Sequence, residues 1–436
     1  MLNFFESYLK YKGYDIHSES QKLKRIQALN SEEFYEWQHA QKWKIAKYHY
    51  KNNSLYRSKV GKHFPSDWND LPIMEKSDFQ DDLESMLSVG FNKKNTYISN
   101  TSGSSGHPFF FAKNKEAHAM DWALIKDRYD WHNLTLSSKQ ARFYGIPMDR
   151  WSYSKEKAKD LLMNRVRFPV FDLSNIKLDV FSERFRMTEF EYIYGYANSL
   201  VIFAQHLITS KIVLKDLCPS LKCCIATSEV LTKENRRLLC KAFGVSIVNE
   251  YGASEIGIIA FNSKKGEWPL SEEILFHEVI NGKNSANDND GELILTDLDN
   301  LAMPFIRYKI GDVGSFSEHP VYKGKYKTLL RLSGRVNDTI VLPSGKKSPG
   351  LTFYYVSRSL LESSCILKEF IIRQTKIDTF IFEVIADRDL TINEINTLKL
   401  KVEIYLEPGL NLIIKRVSTI ERPASGKIKH FYSEIK

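Results

Sequence analysis

Thr101-Ser102-Gly103-Ser104-Ser105-Gly106-His107-Pro108 is the stretch on which the reading of this chain turns. It joins an apolar-alternating segment to the run Phe109-Phe110-Phe111. Glycine takes positive φ without strain and lets the backbone come close to a ligand. Successive backbone N–H groups in such a turn form a nest for an anion, and the hydroxyls add donors. A phosphate-gripping loop and a flexible Gly/Ser linker suit this composition equally well. The Gly-Lys-Ser/Thr ending of a Walker loop is absent. The loop gains its weight from four further segments downstream.

Composition sets the frame. A chain of 436 residues is too long for one ordinary core, so two or three domains are expected. Hydrophobic residues at 43% and charged residues at 26% are usual for a globular protein, and 13% aromatics favour filled cores and stacking pockets. The formal net charge is +9, which draws polyanions. No Lys/Arg block, zinc-finger spacing or RNA-binding aromatic signature appears, so no nucleic-acid partner is expected. The five cysteines form no C-x-x-C and read as buried free thiols of a reducing compartment. The N-terminus carries no secretory pattern, and no run approaches the roughly 18 apolar residues of a membrane span. A cytoplasmic protein without a membrane span is expected.

Residues 1–80 read as helical and polar. Phe34, Trp37, Ala40, Trp43 and Ala46 recur at near three-residue spacing on a helix starting at Ser31, where Ser31 and Glu33 suggest a cap. From about 90 to 310, strand-like runs alternate with helical stretches. Ala141-Arg-Phe-Tyr-Gly-Ile, Leu221-Lys-Cys-Cys-Ile-Ala-Thr and Val245-Ser-Ile-Val are examples. Such alternation predicts an α/β domain with a largely parallel sheet. Residues 281–290 read as a polar loop before the strand Gly291-Glu-Leu-Ile-Leu-Thr. Beyond Gly334-Arg335 the pattern resets. Strands at Thr339, Phe370 and Thr379, a turn at Pro343-Ser-Gly-Lys-Lys and a helix over Ile392–Tyr405 predict a second, α+β domain. The expected layout is a helical part at 1–80, a core at 81–335 and a small domain at 338–436.

The second informative segment is Asn249-Glu250-Tyr251-Gly252-Ala253-Ser254-Glu255. A Tyr beside a Gly can lay its ring against a flat base. A carboxylate four residues on can hold Mg²⁺, a hard cation that takes oxygen ligands. The third, Tyr308-Lys309-Ile310-Gly311-Asp312, sets a carboxylate after a glycine turn, suited to ribose hydroxyls. Gly334-Arg335-Val336-Asn337-Asp338 and Arg422-Pro423-Ala424-Ser425-Gly426-Lys427 complete the set.

In this order the five segments resemble the adenylate-forming superfamily of acyl-CoA ligases. Trp43–Arg57, Asp70-Leu-Pro-Ile-Met-Glu-Lys and Ala302-Met-Pro-Phe-Ile-Arg-Tyr are similar to the phenylacetate–coenzyme A ligase branch. Tyr194-Gly-Tyr-Ala-Asn-Ser-Leu and Leu342-Pro-Ser-Gly-Lys resemble its capsular-polysaccharide-biosynthesis members. The resemblance implies a large multi-sheet α/β N-terminal domain and a small mobile C-terminal α+β domain. It also implies roles. Thr101, Ser102, Gly103, Ser104, Ser105 and Gly106 would hold the ATP phosphates. Tyr251 would stack on adenine, with Ser228, Glu229, Gly252 and Ala253 around it. Ser254 would touch the α-phosphate, Glu255 would bind Mg²⁺, and Asp312 and Arg335 would hold the ribose. Lys427 would bridge the substrate carboxylate and the α-phosphate, and Asn337 would be the hinge. An acyl pocket is expected near Phe143, Tyr144, Gly145 and Ala226.

The expected reaction joins a small carboxylic or amino acid to AMP and then passes the acyl group to an amine, such as an amino sugar, or to coenzyme A. Surface-polysaccharide metabolism is the favoured setting, a catabolic acyl- or aryl-CoA ligase the alternative. A homodimer is compatible with either. A nucleotide-binding module without catalysis is the reading from another class, opposed by the presence of Glu255, Asp312, Arg335 and Lys427. His107 stands where many relatives carry Lys, and Asn337 where they carry Asp. Phe261–Leu270 lacks the Cys and His that some branch members carry, so no zinc is expected.

Overall fold

The computed structural model describes residues 4–101, 109–145, 150–280, 291–333, 339–349, 352–353, 356, 367–420 and 431–435. Ser102–Gly106, Arg335, Asn337 and Lys427 lie outside the described residues, as does the expected domain boundary at 335–338. In chain order the strands are β1 (Tyr97–Asn100), β2 (Phe110–Lys113), β3 (Gln140–Phe143), β4 (Arg165–Phe168), β5 (Tyr192–Tyr196), β6 (Cys223–Thr227), β7 (Ser246–Ala253), β8 (Gly257–Phe261) and β9 (Leu275–Ile280). They continue with β10 (Gly291–Asp297), β11 (Tyr308–Phe316), β12 (Leu329–Ser333), β13 (Thr339–Val341), β14 (Lys347–Pro349), β15 (Leu367–Lys376), β16 (Thr379–Ala386), β17 (Asn411–Arg416) and β18 (Phe431–Ser433). The described residues form two compact units interleaved along the chain. One takes 4–101, 109–136 and 250–333; the other takes 137–249 and the described residues from 339 on.

The second unit contains the parallel sheet that the alternating pattern predicts, in the order β4-β3-β5-β6-β7. Both faces of β6 are covered, so all five of its residues are buried and it shows no alternation. One sheet face carries Ala141, Phe143, Phe168, Ile193, Cys224 and Ala226. These pack with Phe181 and Phe185 of the helix Asn175–Arg186 and with Leu200, Phe203 and Leu207 of the helix Ala197–Thr209. The rings of Phe143 and Phe168 lie parallel, 4.8 Å apart. Gly195 makes room for them: a Cβ there would come within 2.6 Å of the Cβ of Phe143. Burying each such phenylalanine stabilises the fold by about 1.5–3 kcal/mol.

Further along, the same unit holds a mixed sheet, β17-β16-β15-β18, covered by the helix Ile392–Tyr405. That helix runs over the predicted residues. Thr391 and Glu394 form its capping box, each satisfying an N–H of the other's backbone. The predicted turn at Pro343–Lys347 joins β13 to β14 through Gly345, whose φ of +79° is in the left-handed region.

The first unit begins with four helices, of which Ser31–Asn52 is the longest. Its N-cap is Asn30 rather than Ser31. The Asn30 side chain accepts from the Glu33 N–H, and Glu33 reaches back to the Asn30 N–H. The buried stripe also differs from the expected one. It runs through Phe34, Gln38, Lys42, Ile45, Ala46 and His49, while Ala40 is exposed. A strict three-residue spacing drifts around a helix of 3.6 residues per turn, so the buried line follows the longer steps. The antiparallel sheet β12-β11-β10-β9 and the pair β7–β8 complete this unit with the helix Lys115–Asp130. No described helix is long and apolar enough to cross a membrane. Cys218, Cys223 and Cys224 are buried free thiols, as expected, while Cys240 is exposed.

Candidate active site

In the second unit the sequence-predicted residues gather at the carboxyl ends of the parallel strands. The chain runs from β3 outward to β4 and returns past β3 to β5, so the order of connection reverses between β3 and β5. Open α/β sheets bind ligands in the crevice at such a reversal. Here Tyr144 and Gly145 follow β3, and Tyr196 ends β5. The rings of Tyr144 and Tyr196 are 4.1 Å apart, and the Arg142 guanidinium lies 4.0 Å from the Tyr144 ring. Phe143, the last residue of β3, is 0% exposed within the aromatic core, as is Ala226, and the half-buried Tyr144 packs against the same cluster, so Phe143 and Ala226 form the floor beneath the strand ends.

Ser228 and Glu229 follow β6. Ser228 is exposed with φ +70°, a strained value for a residue with a side chain. The Asn198 N–H, in the first turn of the helix Ala197–Thr209, donates to Glu229 Oε2 at 2.8 Å. Glu229 Oε1 is enclosed and has no hydrogen-bond partner among the described residues. Burial pushes the Glu229 carboxyl up to about 7, against the pull of the Asn198 N–H.

The first unit holds the motifs at Tyr251–Glu255 and Tyr308–Asp312, and two hydrogen bonds join them. β7 carries Tyr251, Gly252 and Ala253 and turns through Ser254 and Glu255 into β8. β11 presents Tyr308 and Asp312, four residues apart. The Tyr251 hydroxyl donates to Asp312 Oδ2 at 2.9 Å, and the Tyr308 hydroxyl donates to Glu255 Oε1 at 2.9 Å. Gly311, with φ +86°, bends the strand just before Asp312. Gly252 lies where a Cβ would meet the Gly257 carbonyl oxygen at 2.6 Å, so only glycine fits there. Thr101 is buried and closes on Phe109 twice. Its N–H donates to the Phe109 carbonyl at 3.0 Å, and its Oγ1 accepts from the Phe109 N–H at 3.1 Å. Thr101 and Phe109, which flank residues 102–108, are thereby held side by side.

Two groups escape the sequence reading. Lys76 closes the Asp70–Lys76 motif, and its ammonium lies 3.9 Å from Glu255 Oε1. Met74 is pinned between Arg307 and Lys309 by backbone bonds, which sets Lys76 in place. Lys113 is the other. It is buried with Asp121 and Asp297, and it donates to the Ile256 carbonyl behind Glu255. Burial pushes the Asp121 carboxyl up to about 6 despite the nearby ammonium.

Glu255 is 3% exposed and offers hard oxygen atoms. No group of three or more His, Cys, Asp or Glu that could hold a metal ion occurs among the described residues. A lone carboxylate fits a magnesium ion that takes its other oxygens from water and a polyphosphate.

No protein-family model matches the chain. Protein CapK of Staphylococcus aureus is 23% identical over 437 residues, covering 95% of this chain and 92% of that protein. Among solved structures, 2-hydroxyisobutyryl-CoA ligase in an open conformation with 2-HIB-AMP and CoA is 15% identical. It matches 93% of this chain and 92% of its own, with a TM-score of 0.55. The same enzyme in its thioesterification state is 14% identical over 94% of this chain and 91% of its own, with a TM-score of 0.57. With the parallel sheet and its reversal, these matches give the chain the fold of the adenylate-forming acyl-CoA ligases.

Proposed function

We propose that the chain is an adenylate-forming ligase. A small carboxylic acid attacks the α-phosphorus of ATP; a C–O–P linkage forms, pyrophosphate leaves, and the product is an acyl-AMP. An amine or the coenzyme A thiol then attacks the acyl carbon, and AMP departs as one proton is released. The observation that carries this reading is the double coupling of β7 to β11. Tyr251 with Asp312, and Glu255 with Tyr308, link two motifs that were read separately as nucleotide ligands.

In this reading Tyr251 and Gly252 form a flat face for the base, and Asp312 takes the ribose hydroxyls with its free oxygen. Ser254 faces the α-phosphate. Lys427, from the C-terminal motif, neutralises the charge that grows on the α-phosphate, with Arg335 on the ribose and Asn337 as hinge. Glu255 would hold Mg²⁺, which when bound supplies positive charge to the phosphate oxygens. The reaction needs positioning and charge neutralisation rather than a protein nucleophile. The crevice at Tyr144 and Gly145 would take the acid, and Ser228 and Glu229 would border the base. The setting proposed is surface-polysaccharide metabolism in the cytoplasm, with an amine such as an amino sugar as acceptor, and the likeness to Protein CapK supports the polysaccharide part of it. Coenzyme A is the other acceptor, favoured by the fold neighbours that carry it.

The test is pyrophosphate exchange with ATP, Mg²⁺ and a panel of carboxylic and amino acids, followed by addition of amines or coenzyme A. Acid-dependent exchange is expected. It should fall by about 10²–10³-fold in Lys427→Ala with the melting curve unchanged. Exchange that no acid stimulates, or full activity in Lys427→Ala, would defeat the proposal.

A further inference from the structure

Lys113 ends an apolar strand, and its side chain is 1% exposed. Its ammonium donates to Asp121 Oδ2 at 2.7 Å, lies 3.7 Å from Asp297 Oδ2, and donates to the carbonyl oxygen of Ile256 at 3.2 Å. Asp297 is fixed in turn, because its Oδ1 accepts the N–H groups of Asp299 and Asn300, each at 3.0 Å. An ammonium leaves water at a cost that partners must offset, and an apolar residue would fill the same space without it. The charge therefore calls for a use, and its third contact names one. Ile256 directly follows Glu255.

The Ser254–Ile256 turn is held at each end. The Ile256 N–H closes it on the Ala253 carbonyl at 3.2 Å, and the Ile256 side chain is fully buried. Gly257 leaves the turn with φ +95°, and a Cβ there would sit 2.9 Å from Asp121 Oδ1. The turn thus rests on the Lys113–Asp121–Asp297 cluster from behind, while Tyr308 and Lys76 meet the Glu255 carboxylate in front.

We infer that Lys113 is a positioning residue for Glu255: anchored by Asp121 and Asp297, it fixes the carbonyl behind Glu255 and so sets the direction of the carboxylate. The inference rests on the adenylation reading, in which Glu255 holds the metal that accompanies ATP. Groups standing behind a metal ligand change metal affinity by about 10–100-fold when removed.

The experiment compares the full-length wild type with Lys113→Met, Lys113→Arg and Gly257→Ala. Mn²⁺ serves as an EPR-visible probe, titrated with ATP present, and ATP affinity is measured separately in EDTA. Lys113→Met should weaken Mn²⁺ binding by about 10–100-fold while ATP affinity in EDTA moves by less than about twofold. Lys113→Arg should recover part of the loss, because the guanidinium keeps the charge and a donor for Ile256. A folded Lys113→Met protein with wild-type Mn²⁺ affinity overturns the inference. If that variant does not fold, Gly257→Ala decides: it should show the same selective loss, and unaltered Mn²⁺ binding overturns the inference equally. A wild type that binds no Mn²⁺ with ATP defeats the adenylation reading itself, a different failure from either variant result.

Discussion

The β7–β11 site and the loop after β6 solve opposite problems. In the first, the polar groups are already paired: Tyr251 with Asp312, Tyr308 and Lys76 with Glu255. In the second, Glu229 keeps an enclosed oxygen without a partner among the described residues, and Ser228 holds a strained φ. Paired groups hold their geometry before a ligand arrives, and so spend little on reorganisation when it binds. An unsatisfied acceptor and a strained turn are features that cluster at functional sites.

Four experiments break or sharpen that contrast. Phe143→Ala should have the largest effect, because Phe143 is the floor of the crevice and not its wall. A loss of about 3–5 kcal/mol in urea unfolding is expected, and a loss under about 1 kcal/mol would mean that the floor is not a packed core. Tyr308→Phe leaves Glu255 Oε1 buried without its donor, so stability should fall by about 1–3 kcal/mol. Pyrophosphate exchange should drop about tenfold with it, and unchanged exchange would show that pairing in the first region is not used. A cycle of Tyr251→Phe and Asp312→Asn, read by ATP affinity, should give a coupling of about 1 kcal/mol. Strict additivity would separate the two residues.

Glu229→Gln should have the smallest effect at neutral pH and a distinctive profile. The folded carboxyl is raised from 4.5 to about 7, so it stabilises the fold when protonated. That stability is present below about 4.5, is lost as pH rises through about 7, and is level above. Removing the titration with Gln should flatten the fall in melting temperature between about pH 5 and 7. A wild-type slope in Glu229→Gln would place the titrating group elsewhere.

Much of this was readable without coordinates. Ile392–Tyr405 read as a helix and lies in place, whereas the strand read at Val245–Val248 runs on as β7 through Tyr251 and Gly252 to Ala253, and the glycine turn read before Asp312 lies within β11. The mutual bonds were not readable. Tyr251 and Asp312 were each assigned to a nucleotide, yet 61 positions part them and only the approach of two different sheets makes them neighbours. Lys113, Asp121 and Asp297 look like any solvated charges in a one-dimensional chain. Burial, which depends on what packs above them, turns them into a cluster. Asn30 took the cap from Ser31 because it is the residue whose side chain meets the Glu33 N–H outside the first turn.

By itself the sequence determined the α/β class, and it gave the motifs read as nucleotide ligands and their order along the chain. Those follow from residue chemistry and local periodicity, which act over a few neighbours. Only the tertiary structure decided that Phe143 would be buried in the aromatic core, and that Tyr308 and Lys76 would close on Glu255. Those outcomes depend on strand register and on which surface packs against which. They are set by contacts between segments tens to hundreds of residues apart.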